Sequence, residues 1–446
     1  MLFLGICPQY TMFSGFCKAG LGKSYNVLDK PHIIIYNLFC YNVGAINGRG
    51  FADCRAFYFI MTTLQYRMNV TGQGRSMQLM EQPDSNSATA ATSGMESIMK
   101  QLKARKRPKS FADLREMVRT NAEVFGEKTQ YIYKRDGKEH TFSFARMYRE
   151  MNALGTALCH LGLLGARVCV IGDSCPEYMA TYYAVVNGGG VIVPLDRDLN
   201  DEALVNFINW SEAEAIVYTA PFNGRLTALA AQIPAIRYFV PIMEGETDKS
   251  EKVREYGALI AEGEAALQKG ETTYLDVELD TEKMCTLLFT SGTTGTSKGV
   301  MLSQHNLTAA VNASCMSMEY DDTNRFVDLL PMHHSYEVTC GHMAIGNLGS
   351  EIYINDGLKN TMRSITGYKP NALMVVPLYV ETMYKRIWAE IDRKGMRKKV
   401  EFALKLSQAL MKVGIDVRDK LFGEIRAALG GELRSIVCGG APISPR

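Results

Sequence analysis

Residues 284–302 read MCTLLFTSGTTGTSKGVML, and no other stretch of the chain indicates its fold so clearly. Its centre, Thr290 to Gly299, is rich in glycine and hydroxyl side chains and contains Lys298. The apolar residues on either side predict two short strands. Glycine reaches positive φ values, so a loop between such strands can turn several backbone N–H groups toward an anion. Because hydroxyls and an ammonium group add further donors, the stretch predicts a binding site for triphosphate oxygens.

Two widespread phosphate-binding motifs do not fit this spacing. A Walker loop reads G-x-x-x-x-G-K-[ST] and opens a helix, whereas Lys298 lies between Ser297 and Gly299 and strand-like residues follow. No G-x-G-x-x-G follows a predicted strand, so the dinucleotide fingerprint is missing as well. A plain hairpin turn is the structural alternative, but such a turn needs about two to five residues. The ten residues Thr290–Gly299 therefore favour a binding loop.

The composition is that of an ordinary globular protein. The chain has 446 residues, of which 47% are apolar and 22% charged, and a net charge of +2. Such a balance produces no strong field for a polyanion, so we expect no nucleic-acid partner. The 11 cysteines stand singly, without C-x-x-C or zinc-ligand spacing. This pattern favours reduced thiols in a cytoplasmic protein and predicts no metal-ligating residues.

No apolar run reaches the roughly 18 residues of a membrane span. The longest candidate, Ile33 to Ile46, is interrupted by Asn37, Asn42 and Gly44. The amino terminus lacks the basic start and the cleavage site of a signal peptide. We therefore expect membrane contact to be peripheral at most, and the sequence leaves the oligomeric state unknown.

Three segments differ in composition. Residues 1–80 form an unassigned extension without lasting periodicity, which fits either a membrane-associating extension or sequence upstream of a start at Met77, Met80 or Met95. Residues 81–109 have the composition of a disordered linker that ends in a basic run. Structured sequence is expected over 110–446.

Strands and helices are predicted to alternate over this third segment. Apolar residues at helical spacing predict a helix over Phe144–Leu161. The pattern then predicts further elements, which are strands at 167–171, 191–193 and 215–218 and helices at 177–186 and 201–210, the second capped by Asn200. Alternation resumes after the glycine-rich loop, with a helix over 306–316, strands at 326–330, 352–354, 372–376 and 433–438, and a helical stretch over 378–429 broken near Gly395 and Gly414. Strands separated by helices indicate βαβ units and a parallel sheet, so the fold class is α/β.

The run Leu287–Ser303 resembles the signature loop of the adenylate-forming superfamily of acyl-CoA synthetases and adenylation domains. The match is nearly residue for residue, with Ser297 where many members have proline. Other segments agree, namely 184–196, 330–337, 369–377 and 436–444, and the last two are most similar to long-chain fatty acyl-CoA synthetases. The resemblance covers about 110–446. It implies stacked βαβ, parallel-sheet subdomains that form the large N-terminal domain of these enzymes.

The resemblance implies a two-step reaction. A fatty acid carboxylate attacks the α-phosphate of ATP to give acyl-AMP, and the thiol of coenzyme A then displaces AMP, with Mg²⁺ bridging the phosphates. The resemblance assigns phosphate binding to Thr290, Ser291, Gly292, Thr293, Thr294, Gly295 and Lys298. It assigns catalytic roles to Lys298, Thr294 and His334. Gly440, Ala441 and Pro442 would line the adenine site.

The segment Pro331–Glu337 bears on the substrate. Amino-acid-activating relatives place an aspartate there, and its absence favours an uncharged fatty acyl tail. His334 is expected where the acyl pocket meets the α-phosphate, with a purely structural histidine as an equal alternative. His333 and Glu337 are expected to be structural.

Relatives continue past Gly-Ala-Pro with a threonine–glutamate segment, a hinge and a C-terminal lid domain that carries a catalytic lysine. None of these precedes Arg446, so the sequence predicts an AMP-binding domain that is incomplete at its C-terminus, weak ATP binding and little adenylation. Two alternatives stay open. One is a non-catalytic nucleotide- or acyl-binding protein with a regulatory role, and the other is an acyl-AMP ligase that serves a carrier protein.

Overall fold

The chain alternates between strands and helices over most of its length in the computed structural model, which describes residues 9–11, 35–36, 110–243, 245–246, 248, 250–291, 297–318 and 320–441. The strands are β1 (Gln9–Thr11), β2 (Ile35–Tyr36), β3 (Thr129–Arg135), β4 (Lys138–Ser143), β5 (Arg167–Ile171), β6 (Val191–Leu195), β7 (Ala215–Tyr218), β8 (Tyr238–Pro241), β9 (Met284–Ser291), β10 (Ser297–Ser303), β11 (Arg325–Asp328), β12 (Glu351–Ile354), β13 (Ala372–Val375) and β14 (Ser435–Gly439).

The helices connect these strands and pack on their faces. They are α1 (Leu114–Phe125), α2 (Phe144–His160), α3 (Pro176–Asn187), α4 (Asp201–Ser211), α5 (Arg225–Ala228), α6 (Tyr256–Gln268), α7 (Gln304–Ser317), α8 (Ile345–Asn347), α9 (Thr361–Tyr368), α10 (Pro377–Arg393), α11 (Arg397–Lys412), α12 (Arg418–Leu421) and α13 (Gly423–Ala428). A π-helix spans Glu337–Ala344, and 3₁₀ turns span Ala220–Phe222, Ala230–Gln232 and Leu358–Asn360.

The first sheet confirms the predicted βαβ organisation. Its strand order is β10-β9-β6-β5-β7-β8, and every neighbouring pair is parallel except β9 and β10. The helices α3 and α4 are the crossovers from β5 to β6 and from β6 to β7. Each of these strands is buried almost throughout, as expected for a parallel sheet covered on both faces.

Side-chain caps set the starts of several helices. Asn200 accepts a hydrogen bond from the Ala203 backbone N–H, which confirms the predicted cap of α4. Ser303 and Asn306 form a reciprocal capping box at the start of α7. Ser143 caps α2 through the Arg146 N–H. Each cap satisfies a backbone donor that a helix start leaves unpaired.

The second sheet contains a hairpin that the sequence analysis did not predict. Its order is β11-β12-β3-β4, with β11, β12 and β3 parallel and β3 and β4 antiparallel. Asp136 and Gly137 join β3 to β4 with φ values of 52° and 74°. A two-residue hairpin turn with positive φ at both positions favours the Asp-Gly pair, so this dipeptide was the available signal.

The third sheet contains β13 and β14, which are parallel, and β1 and β2 also pair with β14. The last two strands lie in the segment for which the sequence predicted no lasting periodicity. The amino ends of β11 and β13 are joined because the Arg325 N–H donates to Asn371 Oδ1 at 2.9 Å and the Asn371 N–H donates to the Arg325 carbonyl at 3.2 Å. The carboxyl ends of β13 and β14 point the same way, because these strands pair in parallel.

The helical stretch after β13 breaks where the sequence predicted. Helix α10 ends before Gly395, whose φ is 65°, and α11 ends before Gly414, whose φ is 80°. A positive φ stops a right-handed helix and is inexpensive for glycine, so the two residues act as stop signals.

Candidate functional site

The two strands that flank the glycine-rich stretch, β9 and β10, pair as an antiparallel hairpin at one edge of the first sheet. Ser297 pairs with Ser291 and Lys298 pairs with Thr290 across β9 and β10. Cross-strand partners project from the same face, so Thr290 and Lys298 lie side by side, and both are exposed. Among the described residues, Lys298 forms no ion pair. The hairpin thus offers a cation and a hydroxyl to solvent on one face.

The strand pairing shows that the predicted ten-residue length of the binding loop was wrong. The paired strands end at Ser291 and begin again at Ser297, so five residues, 292–296, connect them, a length within the range of ordinary hairpin connections. Length is therefore no evidence for binding, and the donor composition and the position of the turn carry the argument instead. The predicted phosphate-binding residues Gly292, Thr293, Thr294 and Gly295 lie outside the described residues, and so do the side chains of Ser291 and Ser297. Their roles stay predictions.

Strand register places a carboxylate at the same end of the sheet. Ile192 of β6 pairs with Thr286 of the parallel strand β9. Four residues further along both strands come Asp196, directly after β6, and Thr290. Parallel strands keep their offset, so Asp196 lies at the level of Thr290 at the carboxyl edge of the sheet. Ligands of open α/β sheets bind at this edge.

Two histidines from another element meet this edge. The rings of His333 and His334 lie 4.1 Å apart, and His333 Nε2 is 3.8 Å from Asp196 Oδ2. The His333 side chain is only 12% exposed, whereas His334 is exposed. The loop after β11 thereby joins the second sheet to the hairpin edge of the first.

Both imidazoles are held in the neutral form. Burial, reinforced by the charge of His334, lowers the pKa of His333 to about 4, although Asp196 acts in the opposite direction. Loss of water also lowers the pKa of His334. A neutral imidazole can donate or accept one hydrogen bond but adds no positive charge at pH 7. Lys298 and Arg197 are therefore the cations described at this edge.

An ion pair that was not predicted from the sequence lies beside the hairpin. Arg197, two residues after β6, binds the carboxylate of Asp173, which follows β5, and both side chains are partly exposed. Asp196 was missed as a site residue as well. Polar residues directly after buried parallel strands were the available signal, because such residues collect at the carboxyl edge.

The predicted adenine-lining residues follow β14 directly. Gly440 has a φ of 79°, and a Cβ on it would lie 3.4 Å from Val376 Cγ1. Ala441 is half-buried. Pro442 lies outside the described residues, and the adenine contacts of all three stay predictions.

A sequence model of the family described as "AMP-binding enzyme" matches residues 118–446. The chain belongs to this family. Its fold, with stacked parallel-sheet units, is that of the N-terminal domain of adenylate-forming enzymes, as the sequence predicted. Membership is consistent with the predicted class of acid–thiol ligase.

Curated relatives are long-chain acyl-CoA synthetases. The chain is 27% identical over 319 residues to the peroxisomal long chain acyl-CoA synthetase 7 of Arabidopsis thaliana, a match that covers 69% of this chain and 45% of that protein. It is 24% identical over 327 residues to long-chain-fatty-acid–CoA ligase 1 of Cavia porcellus, which covers 70% of this chain and 47% of that protein. The chain thus spans about half the length of the curated relatives that it matches.

Solved structures share the fold. The adenylation domain of a carboxylate reductase from Mycobacterium chelonae superposes with a TM-score of 0.61 at 18% identity, over 81% of this chain and 61% of that chain. A long-chain-fatty-acid-CoA ligase from Archaeoglobus fulgidus superposes with a TM-score of 0.52 at 20% identity, over 63% and 55% of the two chains.

The described part of the chain also contains helices and cysteines on which the sequence made predictions. None of its helices is both long enough and apolar enough to cross a bilayer. Its seven cysteines carry free thiols, and five of them are buried. Burial raises the pKa of several, including Cys169 and Cys438, each to about 12, so these thiols stay protonated.

Proposed function

We propose that the protein activates a long-chain fatty acid in two steps, forming acyl-AMP from ATP and then acyl-CoA. The observation that carries this proposal is the pairing of Thr290 with Lys298 on the exposed face of the hairpin, at the carboxyl edge of a parallel sheet. Membership in the AMP-binding family supports it. The acyl class is taken from the relatives, which are long-chain acyl-CoA synthetases by name.

The hairpin would hold the triphosphate. Lys298 would place its ammonium on the β- and γ-phosphates, and the Thr290 hydroxyl beside it would donate to the same oxygens. A charge-assisted hydrogen bond contributes roughly 1.5–3 kcal/mol. The turn residues, with Thr293 and Thr294 among them, would add hydroxyl and backbone donors. Because the first step has no covalent enzyme intermediate, positioning and charge stabilisation supply the catalysis.

The edge also suits a Mg²⁺ ion that arrives with ATP. Mg²⁺ prefers oxygen ligands and is commonly held by substrate phosphates together with one or two carboxylates. Asp196 is partly exposed at the level of Thr290, so it is the candidate carboxylate. The ion would neutralise phosphate charge. The residues of the chain would align the substrate.

In the first step a carboxylate oxygen attacks the α-phosphorus and the bond to pyrophosphate breaks. The thiolate of coenzyme A then attacks the acyl carbon, and AMP leaves with the bonding pair. His334, exposed beside the edge, would donate a hydrogen bond at the junction of the acyl chain and the α-phosphate. His333 would hold its neighbour and Asp196 in place through the contacts described above.

Two measurements on the 446-residue chain test the proposal. Equilibrium titration should show weak binding of MgATP, and palmitate should stimulate a low rate of ATP–pyrophosphate exchange. An uncharged C16 alcohol serves as the matched control, because it lacks the attacking carboxylate. A chain that does not bind MgATP contradicts the proposal. Binding without palmitate-dependent exchange also contradicts it and supports the non-catalytic alternative.

A further inference from the structure

A buried group of two carboxylates and one imidazole lies at the end of β11, beneath the histidine loop. His342 Nε2 is 3.8 Å from Asp328 Oδ2 and 3.7 Å from Glu337 Oε1. One ligand atom from each of the three residues can be chosen so that all lie within 4.8 Å of one another. The side chains of Asp328 and Glu337 are each 3% exposed and that of His342 is fully buried. We call Asp328, Glu337 and His342 the buried triad.

An unusual helix brings two of the three residues together. Glu337 and His342 are five residues apart on the π-helix Glu337–Ala344, whose hydrogen bonds join residues i and i+5. Such helices are rare and concentrate at functional sites. Gly341 makes room inside the turn, because a Cβ there would come within 2.6 Å of the Glu337 carboxylate. The local backbone is thus shaped around this side chain.

A second contact orients the imidazole. His342 Nδ1 lies 3.2 Å from the Tyr131 hydroxyl, and the two rings stack with centroids 5.7 Å apart. Tyr131 therefore occupies one ring nitrogen and turns Nε2 toward the carboxylates. Metal-binding histidines commonly have such a partner on the nitrogen that does not bind the ion.

Three polar atoms of the triad lack a hydrogen-bond partner in the described structure. These are Asp328 Oδ1, Glu337 Oε2 and His342 Nε2. Within the described part of the chain, no lysine or arginine pairs with either carboxylate. The two carboxyl groups hydrogen-bond to each other, which leaves these two oxygens and the imidazole nitrogen over. Leaving such buried polar atoms unpaired is costly, and buried charges are normally paired or bound to a metal.

We propose that Asp328, Glu337 and His342 bind a divalent transition-metal ion of the zinc type. Zinc takes imidazole nitrogen at about 2.0–2.1 Å and carboxylate oxygen at about 2.0–2.2 Å. Ligands of a tetrahedral site are then about 3.4 Å apart, so the two observed separations need to contract by only a few tenths of an ångström. The site is separate from the Mg²⁺ of the nucleotide, because it is buried whereas the hairpin face is exposed. The ion would tie β11 to the π-helix and so fix the loop 329–336, independently of the proposed function.

Metal content is the direct test. The chain is expressed in zinc-supplemented medium, purified without chelators and analysed by elemental mass spectrometry. We expect close to one zinc ion per chain, and a loss of at least tenfold in occupancy for His342→Gln and Glu337→Gln. His305→Gln is the matched control, because His305 lies 3.4 Å from Glu282 at the surface, and it should keep the metal. Gly341→Ala should also lose it, since the new Cβ displaces the Glu337 carboxylate.

A second measurement covers variants that fail to fold. The unaltered chain is unfolded in guanidinium chloride with EDTA, freed of both by dialysis, and refolded with zinc, with manganese or with neither. Zinc should raise the melting temperature by roughly 5 °C. A chain that contains no stoichiometric zinc or manganese, and whose melting temperature neither ion raises, overturns the proposal. Equal zinc content in the unaltered chain and in Glu337→Gln overturns it as well.

Discussion

The hairpin edge and the buried triad each include a polar residue at the carboxyl end of a strand, Thr290 of β9 and Asp328 of β11, but their surroundings differ. Thr290 and Lys298 are exposed on the hairpin, whereas Asp328, Glu337 and His342 lie almost wholly out of water. Water stabilises the exposed ammonium, so the hairpin can keep free donors for a ligand. The buried carboxylates have no such solvation and need a proton or a cation.

Polar groups near strand ends can therefore serve different purposes. An exposed group changes affinity when it is removed and leaves stability nearly unchanged. Removing a buried group mainly changes the free energy of unfolding. Burial raises the pKa of Glu337 well above its ordinary value, with a further contribution from Asp328, so without a cation this carboxyl stays protonated.

The largest effect is expected from acid on His333, which is intermediate between the two regions. Its pKa falls from 6.5 to about 4 on folding, mainly through burial, so the folded state binds the proton less well than the unfolded state. Stability from the neutral ring is complete above pH 6.5 and is lost as the pH falls through 4. The loss approaches about 3 kcal/mol, and His333→Asn should abolish it.

Urea unfolding of both proteins between pH 7.5 and pH 4 measures this difference. His140→Asn is the control, because His140 is exposed, and it should lose stability with acid as the unaltered chain does. If His333→Asn lost as much stability between pH 7.5 and pH 4 as the unaltered chain, the buried His333 ring would not be the cause of that loss.

The next effect is expected from the hairpin. Lys298→Ala should weaken MgATP binding tenfold to a hundredfold, since a charge-assisted bond contributes roughly 1.5–3 kcal/mol. The melting temperature should be unchanged, because the side chain is exposed. Isothermal titration and thermal unfolding give the two values.

Lys283→Ala is the matched control for the hairpin. Lys283 directly precedes β9 at the opposite end of the strand, and its side chain is 80% exposed. Loss of its charge should alter neither affinity nor stability. Equal affinities of the Lys298 and Lys283 variants for MgATP would show that the Lys298 side chain does not bind the nucleotide.

A smaller effect of the opposite sign is expected from the buried triad. In the metal-free chain, Asp328→Asn should increase the free energy of unfolding by about 1–2 kcal/mol, because it removes a buried carboxyl group that pairs with no lysine or arginine in the described part of the chain. In zinc-loaded chain the same change should decrease it. Denaturant titrations with and without zinc compare the two states. A decrease in both states would show that the Asp328 carboxyl group stabilises the fold without a metal ion.

The smallest effect is expected from the hydroxyl that holds the imidazole. Tyr131→Phe should cost about 1 kcal/mol, since His342 loses a hydrogen bond while the packing is kept. Tyr178→Phe provides the control, because Tyr178 is equally buried and its hydroxyl has no hydrogen-bond partner in the described structure. The Tyr178 variant should be neutral or slightly more stable in thermal unfolding. Equal losses in the two variants would exclude a role for the Tyr131 hydroxyl.

Much of the fold could be predicted because its signals are local. The cap at Asn200, the breaks at Gly395 and Gly414 and the alternation of apolar strands with helices each depend on a few neighbouring residues. The β3–β4 hairpin escaped prediction although its Asp136-Gly137 turn was a local signal. The sequence also predicted no metal ligands, since the members of the triad have no recognisable spacing.

The sequence by itself determined the family and the donor composition of the Thr290–Gly299 stretch, because both depend on residue order over a short range. Tertiary structure alone decided which distant residues meet. Strand register brought Asp196 to the level of Thr290, and the π-helix turned Glu337 and His342 toward Asp328. Register and helix type result from packing across the whole domain, so no short window of sequence specifies them.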